Sequence, residues 1–487
     1  MKIKVSPVKV YRQELSFDPD HSRVITRFFE PSQIRKNNIV RRVLGLSADE
    51  VNAILAQTLQ NFEDRHRNVK RIFKDNYDKL HLDIDTSLER TLLIGAYFTM
   101  EYSIETAALL NPSIVAHPDQ RNLKKRSLRV ILSFRAVGEG HMSSIVFREG
   151  IINSRGKLSI LPNGHHLESA KIIQNTLYSK KDISSILRQL QCYDPIEQIM
   201  NNLLEEFSYD ELMKGVEKFR SKKSLSHECN EAVETLLWLV KSNYEIKFDK
   251  ELNIAGRVIF PRSKGEIKAL EDARFVSFED NKEQQYFATY TAYDGHNILP
   301  EIIETKDFIR FKIMTLVGKG ARNKGMALFP EKIKGKYAMI SRVDNENLFI
   351  MFSDDIYHWE EPVLLKKPTY YWEFYQIGNN GSPLKTEKGW LLLIHGVGPV
   401  RTYCIGAILL DLEDPTKVIG MIRDPILFSN EDERDGYVPN VVYSCGSIVH
   451  HDYLIMPYAM SDSRSGVAKF QVGELLEHIE PLPQASH

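Results

Sequence analysis

Trp390-Leu-Leu-Leu-Ile-His395 is an apolar run that opens on an aromatic residue and ends on a polar one. Three other stretches share its form, Tyr286-Phe-Ala-Thr-Tyr-Thr291, Tyr337-Ala-Met-Ile-Ser-Arg342 and Tyr453-Leu-Ile-Met-Pro-Tyr458, and a fourth, Val130-Ile-Leu-Ser-Phe-Arg135, differs in opening on an aliphatic residue. A self-similar run of strand length marks a repeat architecture, and the four later copies recur at about 50 to 65 residues, the period of a propeller blade with loop insertions. A second echo keeps the period: Asp307-Phe-Ile-Arg-Phe311 after the second copy and Asp355-Ile-Tyr-His-Trp359 after the third are the same Asp-x-x-x-aromatic turn. Each unit also has a candidate preceding strand (Ala273 to Phe278, Met326 to Ile333, Val441 to Val449) or a following one (Ser144 to Arg148, Leu348 to Phe352, Ile405 to Leu412). The expected fold is mainly β, a five-bladed β-propeller with an N-terminal helical region and a helical insertion between blades.

Outward from the repeat, the period changes to helical. Ser47 and Glu50 form an S-x-x-E capping box leading into Val51, Ile54, Leu55, Leu59 and Phe62. A second helical tract runs from about Glu168 to Ser242, with apolar residues such as Ile196, Ile199, Met200 and Leu203 at three- and four-residue steps. The expected organisation is residues 1–95 as the N-terminal helical region, 96–167 as the first blade, 168–247 as the insertion, 248–475 as the remaining blades and 476–487 as a C-terminal tail. Small helical units bury little surface alone, so their stripes are expected to cover one side of the propeller, to narrow access to its site and to build a homo-oligomer interface.

The chain has 487 residues, 64 Lys+Arg against 65 Asp+Glu, and is 43% hydrophobic. That balance describes an ordinary globular chain and lacks the positive surplus with which nucleic-acid binders attract phosphates. Met1 to Asp18 has no apolar run of signal-peptide type, and no stretch elsewhere is long and apolar enough to span a membrane, so a cytoplasmic location without membrane association is expected. Cys192, Cys229, Cys404 and Cys445 form no CxxC pair. They read as free thiols rather than as a zinc site or disulfide framework. The pairs His165-His166 and His450-His451 lack partners at ligand spacing, so no metal is expected.

In a propeller the innermost strands surround a channel, and their ends form a shared site. Taken as innermost, the five runs end on Arg135, Thr291, Arg342, His395 and Tyr458, a set suited to an anion or a sugar. Glu271-Asp272-Ala273-Arg274, Asn323-Lys324-Gly325 and Asn379-Asn380-Gly381-Ser382-Pro383 open the neighbouring strands.

These residues resemble a known family. The strings EDARFVSFED from Glu271, TYTAYDG from Thr289, ETKDF from Glu304, NKGMALFPEKI from Asn323, HGVGPVRTYCIGAILLDLEDP from His395 and PNVVYSCG from Pro439 are similar to glycoside hydrolase family 130, the inverting β-mannoside phosphorylases and mannosidases. The resemblance spans about Asn111 to Val472 without the insertion, and the helical parts are similar to those of a longer-chain branch of that family. It implies that Asp272 is the general acid, in a motif where Ala273 replaces the usual Pro. It further implies that phosphate meets Lys324, Arg342, Gln376, His395 and Tyr403. Gln376 stands where a Lys is usual, which weakens charge-assisted binding of a dianion. Asp462, Asn111 and Ser113 match sugar-site positions, and Arg135 and Arg274 are expected to contact substrate as well. Tyr370, Tyr371 and Trp372 are candidates for stacking on a sugar or for packing between blades.

The implied function is an inverting phosphorylase acting on terminal β-linked mannose of manno-oligosaccharides and giving α-mannose 1-phosphate, with inorganic phosphate as co-substrate and no cofactor. An inverting hydrolase would need a second carboxylate to activate water, for which Glu331 and Glu373 are the candidates. A non-catalytic carbohydrate-binding propeller is the third reading, because fold alone implies no activity.

Overall fold

A computed structural model describes residues 5–173, 177–221, 225–280, 282–295 and 298–481; the end of the expected C-terminal tail, residues 482–487, lies outside them. Five antiparallel meanders dominate the chain. The first contains Ala108–Ala116, Leu128–Val137, Ser143–Ile152 and Leu158–Ile160, and the second Ala269–Asp280, Glu283–Tyr293, Ile298–Thr305 and Arg310–Thr315. The third contains Ala327–Leu328, Tyr337–Ser341, Leu348–Ser353 and Val363–Lys366, and the fourth runs from Gln376–Asn379 through Gly389–Val397 and Tyr403–Leu410 to Val418–Met421. In the fifth, Val442–Tyr443 and Ile448–His450 pair with Tyr453–Met460, which pairs with Arg464–Gln471. A parallel pairing of Ala269 with Ser143 joins the first two meanders.

Two expectations are corrected here. The five repeated runs are the second strands of their meanders, not the first. A second strand is hydrogen-bonded along both edges and packed on both faces, so it is the most uniformly apolar, and Leu391, Leu392 and Ile394 are fully buried. The N-terminal region is also not wholly helical. Tyr11–Phe17 is a strand that pairs antiparallel with Arg464–Gln471, so the start of the chain supplies the outer strand of the fifth meander. Val24–Phe28 pairs with Thr99–Ser103 across the helical segment.

The helices between, Gln33–Leu44, Ala48–Phe62, Val69–Asp78 and Leu88–Tyr97, pack mainly on one another around Val43, Phe73, Leu93 and Ile94. The Ser47 capping box forms: Ser47 Oγ accepts from the Glu50 amide, and the Glu50 carboxylate accepts from the Ser47 amide at 2.8 Å. Among the described residues no helix is long and apolar enough to cross a membrane. Of the cysteines, Cys404 and Cys445 are buried and Cys192 and Cys229 half-buried, all as free thiols.

The insertion has a core of its own, built from Leu187, Ile196, Met200, Phe207, Leu212, Val233 and Leu236. It departs after Leu158–Ile160, the outer strand of the first meander, and returns through Tyr244–Lys247, which pairs with Arg310–Thr315, the outer strand of the second. Its ends therefore lie at outer sheet edges, which corrects the expectation that they reach the rim of the site. It still bears on the site through one loop. Thr315 donates its amide to Asn243 Oδ1 at 2.8 Å, and Val317 packs into the insertion core, anchoring the start of the segment that carries Lys324.

A buried ion triad ties the N-terminal segment to the first meander. The Glu105 carboxylate accepts from Arg23 Nε and from Arg148 Nη2, each at 2.7 Å, and Arg23 also donates to the Ala255 carbonyl at 2.5 Å. Removing the carboxylate strands two buried guanidinium groups together. Glu105→Ala is expected to lower unfolding free energy by about 3 to 5 kcal/mol, measured by urea denaturation. A loss below about 1 kcal/mol, the level of an exposed pair, would show that the triad does not hold these segments.

Candidate active site

The first strands of the first two meanders each carry a bulge. Register slips between Leu110 and Ser113 in one and between Glu271 and Arg274 in the other. At these bulges Asn111 and Asp272 take left-handed backbone, with φ of 49° and 58°. Bulges of this kind re-aim side chains beside functional sites, and left-handed non-glycine residues persist only where their surroundings hold them. Here the two side chains meet: Asn111 Nδ2 donates to Asp272 Oδ1 at 2.5 Å.

Around this pair the charges are arranged unevenly. Glu271 is clamped by Arg135 Nη2 at 2.9 Å and by the Lys324 ammonium. Arg135 Nη1 also stands 4.0 Å from Asp272 Oδ1. Burial raises the Asp462 carboxyl to about 6, reinforced by the nearby carboxylates of Asp272 and Glu271 against the pull of Arg135. Arg274 is almost wholly buried; it donates to the Asp272 carbonyl at 3.2 Å and to the Tyr443 hydroxyl at 2.6 Å. It positions the acid's backbone rather than presenting a free guanidinium.

A second cluster lies at the end of the Gly389–Val397 strand. Arg342 Nη1 donates to His395 Nε2 at 3.2 Å, and His395 Nδ1 faces Asn380 Oδ1 at 3.1 Å. Arginine has no acceptor, so Nε2 carries the lone pair and Nδ1 the proton, which makes the imidazole neutral. Burial holds its pKa well below the usual value, with Arg342 and Arg274 adding to the effect. Tyr403 stacks on the ring at 6.0 Å, and Tyr443 lies 4.9 Å away on a tilted plane. Gly378 makes this packing fit: a Cβ there would stand 2.5 Å from His395 Cε1 and 3.2 Å from Arg342 Nη1.

The structure thus gathers Asn111, Arg135, Asp272, Arg274, Lys324 and Asp462 around one acid, and Arg342, His395 and Tyr403 around one imidazole; Arg274 and Tyr443 connect the two groups. Gln376 pairs through its backbone with Val397, at the end of the strand that carries His395. Buried polar atoms without a partner include Asn111 Oδ1, Arg274 Nε and Arg342 Nε of these residues, and Asn379 Oδ1, which like Arg274 borders Gly325. Such a concentration of orphaned groups marks a place prepared for a polar ligand.

Four of the expected residues are engaged within the fold. Ser113 is fully buried, and its hydroxyl accepts from the Phe275 amide at 3.1 Å, so it ties the first strands together. His395 has both ring nitrogens engaged, Nε2 with Arg342 and Nδ1 with Asn380. Tyr458 donates to Glu433, and Trp372 packs on Gly396 and Gly406 while its indole donates to the Arg423 carbonyl at 3.0 Å. The candidate bases are occupied as well. Glu373 Oε1 accepts from Lys366 Nζ and from the Thr369 and Tyr370 amides at 2.8 to 2.9 Å, and Glu331 accepts from Lys385 at 2.6 Å. Among the described residues no group of three or more His, Cys, Asp and Glu could hold a metal. Sequence reasoning missed Tyr443 and the clamp on Glu271, although both residues stand inside quoted strings.

The model of glycoside hydrolase family 130, described as beta-1,4-mannooligosaccharide phosphorylase, matches residues 228–481. That stretch contains Asp272, Lys324, Arg342, His395 and Asp462, while Asn111 and Arg135 precede it. The 1,2-beta-oligomannan phosphorylase of Thermoanaerobacter sp. (strain X514) is 37% identical over 218 residues, 43% of this chain and 71% of that protein. The beta-1,2-mannobiose phosphorylase of Listeria innocua is 31% identical over 230 residues, 46% of this chain and 63% of that protein. A solved structure of the Listeria innocua beta-1,2-mannobiose phosphorylase with beta-1,2-mannobiose is similar over 77% of this chain and 92% of that one, at 21% identity and a TM-score of 0.42.

Asp462 gives the site a pH signature. Its folded pKa of about 6 exceeds the ordinary 3.8, so the folded chain holds a proton that the unfolded chain releases. Its contribution to stability is full below pH 3.8 and is lost as pH rises through about 6. Asp462→Asn should therefore gain thermal stability relative to wild type across that interval. Melting temperatures measured from pH 3.8 to above pH 6 check it, and a constant difference would refute the raised pKa.

Proposed function

The chain belongs to glycoside hydrolase family 130, and from that premise we propose that it is an inverting glycoside phosphorylase acting on terminal β-linked mannose of manno-oligosaccharides. Inorganic phosphate is the co-substrate and α-mannose 1-phosphate the product. The observation that carries this reading is the charge arrangement: Asp272 is held at a bulge beside a cationic set, while Glu331 and Glu373 are each paired with a lysine.

In the proposed reaction a phosphate oxygen attacks the anomeric carbon from the face opposite the leaving group. The C–O bond to the leaving sugar breaks with its electron pair, and the Asp272 proton reaches that oxygen directly or through a substrate hydroxyl. Lys324 and Arg342 neutralise the phosphate, with Tyr403 and Gln376 as hydrogen-bonding partners. Lys324 uses one of its three N–H donors on Glu271 and keeps the others. His395, by accepting from Arg342, fixes where that guanidinium points. Asn111, Arg135 and Asp462 face the sugar.

We further infer that the five meanders are the blades of a propeller closed by Tyr11–Phe17. Support comes from a cavity of about 260 Å³ lined by one segment associated with each meander: Ile114–Ala116, Phe275–Ser277, Pro330, residues 382–385 and residues 446–449. Segments from five meanders lining one cavity is the arrangement of strands around a central axis.

A second reading, an inverting exo-β-mannosidase, is favoured by one observation: Asp462 is a second carboxyl coupled to Asp272, and a pKa of about 6 suits a base near neutral pH. Incubation with β-1,2- and β-1,4-mannobiose, with and without phosphate, separates the two. Phosphate-dependent release is expected, and release independent of phosphate would favour the mannosidase.

Asp272→Asn keeps shape but cannot deliver a proton, so kcat should fall by about 10²- to 10⁴-fold with folding intact. Retention of more than about a tenth of wild-type kcat would reject the assignment. Arg342→Ala should raise the KM for phosphate by about 10- to 150-fold, the worth of one charge-assisted hydrogen bond, with a much smaller change for the mannoside. Equal changes for both substrates would assign Arg342 to the sugar or to structure.

A further inference from the structure

A cleft of about 500 Å³ lies between the Val69–Asp78 helix and residues 167–172, and it shares no residue with the Asp272 site. Its lining contains Arg67, Arg71, Lys79, Lys171 and Arg262 against two carboxylates, Asp75 and Glu168. A neighbouring cleft of about 310 Å³ shares Arg71, Glu168 and Lys171 and adds Lys247 and Asp249.

The cations are only partly compensated. Arg67 is the compensated one: its Nη1 faces Glu168 at 3.6 Å and its Nη2 reaches Asp249 at 3.3 Å and Glu251 at 3.9 Å. Lys79 donates to Asn76 at 2.9 Å, stands over the Phe28 ring, and has its pKa lowered by burial and by Arg262. Arg262 donates to the Ala170 carbonyl. Arg71 and Lys171 make no side-chain hydrogen bond or salt bridge among the described residues. Like charges drawn into one concavity repel, and an anion that enters it relieves that repulsion. The volume matches one small ligand. We propose that this cleft binds a phosphate monoester of about the size of one sugar ring, at a site separate from Asp272.

The test is isothermal titration of the full chain with α-mannose 1-phosphate and, separately, with inorganic phosphate. It is made in an Arg342→Ala background, so that failure of the phosphorylase reading leaves the result intact. The sugar phosphate should still bind at one site, and adding Arg71→Glu with Lys171→Glu should weaken that binding by about tenfold or more. Both residues are exposed, and Lys171→Ala alone gives the same readout if the double charge reversal fails to fold. Binding should also weaken with added salt. Inorganic phosphate binding as tightly as the ester would support the anion site and identify the free ion as its occupant. No binding in the Arg342→Ala background, or binding that the cleft substitutions leave unchanged, would overturn the proposal.

Discussion

The amide–carboxylate bond from Asn111 to Asp272 joins two meanders across 161 residues of chain. For it to form, two first strands must lie side by side, each must bulge at the same level, and each bulged residue must accept left-handed backbone. Much of the surrounding architecture serves that juxtaposition. Ser113 fastens to the backbone of Phe275 just below, Arg274 holds the Asp272 carbonyl, and the insertion between these meanders is routed along outer sheet edges, where it does not wedge the first strands apart.

Charge is then distributed by pairing. Glu271, next to the acid in sequence, is neutralised by Arg135 and Lys324, so its proximity does not force a second free anion on Asp272. Asp462 is not neutralised in the same way, and its carboxyl resists ionisation. On the other side the imidazole of His395 gives up its charge so that Arg342 can approach within hydrogen-bond distance. Two full cations at that separation would repel; one cation and one lone pair attract. The site thus holds a positive group and an acid without either cancelling the other.

How much of this was legible follows from packing. The second strands were readable because pairing on both edges demands unbroken apolar runs such as Trp390 to His395. The first strands were harder to delimit: Ala327–Leu328 and Val442–Tyr443 are only two residues long, within the longer candidate runs Met326 to Ile333 and Val441 to Val449. Tyr11–Phe17 escaped notice because an exposed edge strand needs little apolar character. The bulge at Asp272 was invisible, since nothing in an Asp announces a positive φ. Asp272, Arg342 and His395 were found through the strings they stand in, but the tautomer of His395 depends on Arg342 and Asn380 meeting it in space, and linear spacing carries no record of that.

The pairing of Tyr11–Phe17 with Arg464–Gln471 bears on biosynthesis. Tyr11–Phe17 is synthesised hundreds of residues before its partner, so it stays unpaired until Arg464–Gln471 has emerged from the ribosome. The intervening meanders can fold in order, but the edges of Tyr11–Phe17 remain open to other chains meanwhile. Asp462 lies on the turn between the last two strands of that meander, so the site is assembled among the final events. The turn that carries Asp462 therefore takes its place only once these two distant strands can pair.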